Sequence, residues 1–123
     1  MGGRQTIMAN MARIRRAVLG TGALVFAAAV AFGQDAKVER GKAVYAEQKC
    51  KLCHSIAGEG NAKGPLDGVG SKLSAADIKQ WLVAPKEAAE KHKAERKPPM
   101  KAYPSLPAAD LEAVIAYMLS LKK

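Results

Sequence analysis

The strongest constraint on this 123-residue chain is the run Cys50-Lys51-Leu52-Cys53-His54, which contains its only two cysteines and one of its two histidines. Cysteines three positions apart on a helical turn face the same side. Both sulfurs can therefore reach one planar ring while the next residue swings an imidazole beneath it. This is the form of covalent c-type haem attachment, with thioethers from Cys50 and Cys53 and iron ligation by His54. The alternatives are a structural disulfide, a dithiol oxidoreductase pair or half a zinc site. Zinc wants four ligands at tetrahedral spacing, and His92 is the only other Cys or His in the chain. A thioredoxin-type pair belongs to an αβ pattern, and no alternating strand is legible beyond residue 33.

The context of the motif is that of an exported protein. Arg13, Arg15 and Arg16 precede an acid-free apolar run, Ala17 to Phe32, with small residues at Ala31 and Gly33. That layout predicts a signal peptide over 1–33, cleaved before Gln34, with Met8 and Met11 as alternative starts. The apolar run falls short of the roughly 20 residues that span a bilayer, so cleavage is expected over a retained anchor. Residues 34–123 are then a single periplasmic haem domain with no membrane span, expected to be a monomer.

Removing residues 1–33 takes away four arginines and no acid, lowering the formal charge from +9 to +5, with 16 basic side chains against 11 acidic ones. The remaining positive charge is mostly lysine, with little aromatic interleaving. That suits docking on an acidic protein surface better than base stacking, so nucleic acid is not an expected partner. The glycine-rich stretch Gly58 to Gly64 lacks both the phosphate-loop spacing and a preceding strand. With one Trp, three Tyr, and both Phe inside the leader, the domain's core is thin for its length. A cofactor would fill it.

Three helices are legible. Ala36 to Lys49 places Val38, Gly41, Val44 and Tyr45 along one side. Ser74 to Val83 has Ser74 as N-cap, Asp77 in the first turn and Pro85 just beyond its end. Pro107 to Lys122 carries the apolar stripe Leu111, Val114, Ile115, Met118 and Leu119. Residues 55–71 hold five glycines and one proline and read as a structured loop.

In order along the chain, Gly41 and Tyr45, Cys50-Cys53-His54, Gly64-Pro65-Leu66, Trp81, Pro98-Pro99-Met100 and Tyr117 resemble the monohaem class I c-type cytochromes over residues 36–122. The resemblance implies an all-α fold of four to five short helices around one covalent haem c, with the first and last helices crossing near Gly41 and Tyr117. It also implies that the Pro65 carbonyl accepts the proton from the second nitrogen of His54, and that Trp81 reaches a haem propionate; ordinary core packing is the alternative for Trp81.

The second axial ligand decides function. Met100 follows two prolines in a loop, a context that stiffens the chain around its sulfur, and the resemblance places the ligand there. Met118 lies on the stripe of the last helix and reads as core. His92 sits in the charged run 86–97 and reads as a solvated residue. In relatives a proline often follows the methionine directly, whereas here Lys101 does and Pro104 comes later. With His54 and Met100 as ligands the iron has no open position, which points to an electron carrier with a positive midpoint potential, not an enzyme. Lys49, Lys51 and Lys101 are candidate docking charges for acidic redox partners. The alternatives are an electron-accepting subunit of a larger oxidase or dehydrogenase, and a haem enzyme or sensor whose Met100 loop opens the iron.

Overall fold

The computed structural model describes residues 32–123, so all but the end of the expected leader lies outside the described residues. Asp35–Lys123 form one unit. Its first helix, α1, runs to residue 47 and is described from residue 32. Gly41 and Val44 are buried on one side of it, with Val38 and Tyr45 partly buried beside them, at the spacing of a single helical face. The helix stops two residues earlier than Lys49 because Lys49 takes a left-handed conformation, φ 56°. That break opens a one-turn 3-10 helix, Cys50–Leu52.

A short hairpin follows where the glycine-rich sequence predicts a loop. Ser55–Ile56 (β1) and Glu59–Gly60 (β2) pair antiparallel, Ser55 opposite Gly60 and Ile56 opposite Glu59. Ala57 and Gly58 turn the corner with φ 51° and 83°, the positive pair that a two-residue hairpin turn requires. Strands of two residues are too short to show an alternating pattern, which is why the segment reads as loop. The short helix α2, Val69–Lys72, lies in the same stretch.

α3, Ala75–Val83, starts at a reciprocal cap: the Asp77 N–H donates to the Ser74 hydroxyl, and the Ser74 N–H donates back to the Asp77 carboxylate. α4, Pro85–His92, begins one residue after the Ala84 cap, with proline in its first turn, where a missing N–H costs nothing. α5, Ala108–Ser120, follows Pro107 at its N-cap. The described part of the chain is thus all-α apart from the small hairpin, with five α-helices.

Val44, Ile78, Leu82, Val114 and Met118 form the core, drawn from α1, α3 and α5. Burying each aliphatic side chain contributes about 1.5–3 kcal/mol. The largest side chain with almost no exposure is only Val44. α1 meets α5 at Gly41, where a Cβ would lie 2.6 Å from the Tyr117 Cβ and collide with the Ala113 carbonyl. One turn further on, the Tyr45 and Tyr117 rings pack edge to face at 5.9 Å. Arg40 pairs with Asp110 at 2.8 Å and Lys37 with Glu112 at 3.2 Å across the same crossing. These exposed pairs orient the helices more than they stabilise them.

Candidate functional site

The left-handed turn at Lys49 and the 3-10 helix after it present the two cysteines. Three residues per turn bring positions i and i+3 into register, so Cys50 and Cys53 stand on one side. The turn is closed by the Leu52 N–H on the Lys49 carbonyl (3.1 Å) and by the Cys53 and His54 N–H groups on the Cys50 carbonyl (3.1 and 3.0 Å). No disulfide joins the two cysteines; Cys50 is half-buried and Cys53 exposed. Burial pushes the Cys50 thiol up. Cys50 lines an apolar hollow with Val44, Leu82, Tyr103, Leu106 and Val114.

His54 is oriented from behind. Its Nδ1 lies 3.1 Å from the Gly64 carbonyl. A carbonyl only accepts, so Nδ1 carries the proton and Nε2 keeps the lone pair that a metal ligand needs. Burial also lowers the basicity of the ring, which favours the neutral imidazole.

The acceptor is Gly64, one residue before the Pro65 carbonyl that the resemblance implied. The shift follows from a parallel bridge between Ser55 and Pro65. In it the Ser55 N–H donates to the Gly64 carbonyl at 3.0 Å, and the Leu66 N–H donates to the Ser55 carbonyl at 2.8 Å. This aims the Gly64 oxygen at the end of the attachment motif, where the neighbouring His54 ring shares it.

Asn61 went unnoticed in the sequence. Its backbone N–H reaches the carbonyls of Lys51 (3.1 Å) and His54 (3.0 Å), and its side-chain amide donates to the Leu52 carbonyl at 3.1 Å. Its position within a glycine-rich stretch is the only signal that could have marked it. Gly60, at φ 108°, allows this close approach, since a Cβ there would strike the His54 carbonyl.

The two methionines beyond the leader have different settings. Met118 is 6% exposed in the core. Met100 is half-buried in the loop before α5 and packs against the same cluster from outside. Trp81 and Pro65 both line an open cavity of about 230 Å³, together with Lys72 and His92. His92 is exposed, as its place in the charged run implies, yet its ring is engaged. Its ring stacks on Trp81 at 5.9 Å with 23° between planes, and its Nε2 lies 3.6 Å from Asp77. Its place on α4 turns it toward α3 and Trp81.

These residues fit a c-type haem. They supply two thiols on one side of a single turn, a neutral histidine with its metal-binding nitrogen free, an apolar hollow at the thiol end, and a loop methionine at the core's edge.

Comparison with known proteins gives the same family. The model of the family described as Cytochrome c matches residues 38–122. The chain is also 30% identical over 107 residues to a protein named cytochrome c oxidase subunit 2 from Alkalihalophilus pseudofirmus. That alignment covers 73% of this chain but only 30% of the relative, so the chain spans less than a third of it. No solved structure matches significantly.

Proposed function

Since the chain belongs to the cytochrome c family, and so transfers electrons through covalently bound haem c, we propose that it is a periplasmic carrier holding one six-coordinate haem. In this reading Cys50 and Cys53 form the thioethers, His54 and Met100 are the axial ligands, and Pro65 and Trp81 belong to the haem surroundings. The haem supplies a one-electron Fe(III)/Fe(II) couple. The protein's residues decide how that couple is used. Gly64 holds the His54 proton on Nδ1 and so leaves the Nε2 lone pair for iron; with Met100 as the second protein ligand, the bound haem would have no position left for a substrate. A thioether ligand and an apolar setting both favour the ferrous state, so the midpoint potential is positive.

The observation that carries this reading is the contrast between the two methionines. Met118 is spent on the core between α1, α3 and α5, while Met100 stands in a loop at the core's edge. Met100→Ala is expected to leave the ferric iron high-spin or bound to a replacement ligand. Met118→Ala keeps the low-spin spectrum and costs about 2–5 kcal/mol of stability. The reverse pattern overturns the ligand assignment.

A second reading draws on the oxidase relative. The haem domain would then be the electron-accepting part of a larger complex, tethered by a retained leader. Co-purification with one large membrane partner, or the intact leader on the isolated protein, favours that version over a free carrier. Among the described residues no helix is long and apolar enough to cross a membrane.

A further inference from the structure

Tyr103 stands three residues after Met100 and is fastened at several points. Its backbone N–H donates to the Leu82 carbonyl at the end of α3, at 2.8 Å. Its ring lines the apolar hollow beside Cys50, together with Leu82, Leu106 and Val114. On the ring's face, the Lys101 ammonium sits 5.3 Å from the centroid, in the range of a cation–π contact. The loop that carries Met100 therefore has one aromatic anchor that touches α3, the hollow of the attachment motif and the residue next to Met100 at once.

We propose that Tyr103 is a positioning residue for the Met100 loop, its seated ring fixing the reach of the loop so that the methionine sulfur stays on its target. This rests on Met100 being the axial ligand. The physical argument is one of populations. A ligand on a loop is displaced only through the fraction of molecules in which the loop has lifted, so an anchor that lowers that fraction lowers the apparent affinity of any competitor by the same factor. The ring does this by burial and stacking, which phenylalanine can reproduce.

The test is equilibrium binding of exogenous imidazole to the ferric, haem-loaded protein, followed by its visible spectrum. Tyr103→Ala is expected to bind imidazole about tenfold more tightly than wild type, and Tyr103→Phe to stay within about twofold of wild type. Leu106→Ala, which opens the same hollow without touching Lys101, is the control for general loosening. Should Tyr103→Ala fail to accumulate, Tyr103→Leu keeps apolar bulk while removing the flat face under Lys101, and the same tightening is expected. Unchanged affinity in the Tyr103 variants, or an equal gain in Leu106→Ala, overturns the proposal. If wild type already binds imidazole as readily as Met100→Ala, the axial assignment itself fails, a result distinct from failure of the anchor.

Discussion

At the scale of single residues, the site depends on which atom faces which. Cys50, Cys53 and His54 are legible in the sequence because their chemistry depends on local spacing, and one turn of 3-10 helix is enough to present them. The acceptor behind His54 is not legible in the same way. It is a backbone carbonyl, and whether Gly64 or Pro65 supplies it depends on a bridge to Ser55 that leaves no side-chain mark. Tyr103 and Asn61 are hidden for a related reason, since their partners lie far along the chain or on the backbone. A testable consequence follows at Gly64. A Cβ there would collide with the Cys53 carbonyl and the Arg96 guanidinium, so Gly64→Ala displaces the acceptor. With the Nδ1 proton less firmly held, His54 becomes a weaker donor, and the midpoint potential is expected to rise in voltammetry. An unchanged potential would mean that the bond orients the ring without tuning the iron.

At the scale of elements, legibility follows length and end signals. α3 and α5 are readable because Ser74, Asp77 and Pro107 mark their starts and because the apolar stripe of α5 persists over several turns. The hairpin at 55–60 has two-residue strands and no such pattern. Gly41 is readable as a cost to its helix, and the structure supplies the reason in the crossing with α5. Gly41→Ala should destabilise the domain by roughly 1–3 kcal/mol in thermal unfolding, despite the better helix propensity of alanine, because the added carbon forces the two helices apart.

The cap of α3 has a pH signature. The Lys91 ammonium at 2.6 Å and the Ser74 hydroxyl and N–H hold the Asp77 carboxyl well below the usual carboxylate range. A depressed folded value means that this contribution is present above the unfolded value, about 3.9, and is lost as pH falls below it. Asp77→Asn should therefore be less stable than wild type at neutral pH, with the two proteins converging in acid. Denaturant unfolding across that range measures this.

At the scale of the whole molecule, charge and cofactor count decide what the protein can do. Beyond the expected cleavage point the chain keeps an excess of lysine, and Lys49, Lys51 and Lys101 belong to the segments that carry the attachment motif and Met100. If they steer an acidic redox partner, the second-order rate of electron transfer should fall steeply as ionic strength rises. A flat response in stopped-flow measurements would leave them as solubility charges. The protein core is thin, with Val44 its largest side chain of near-zero exposure, which is consistent with a domain that relies on a cofactor for part of its packing.

One measurement bears on the haem count, the ligands and the carrier role together: an anaerobic redox titration of the haem-loaded protein followed by its visible spectrum. The expected result is a single one-electron transition at positive potential between two low-spin forms. A high-spin form in either state, or more than one transition, would contradict a single haem closed by His54 and Met100.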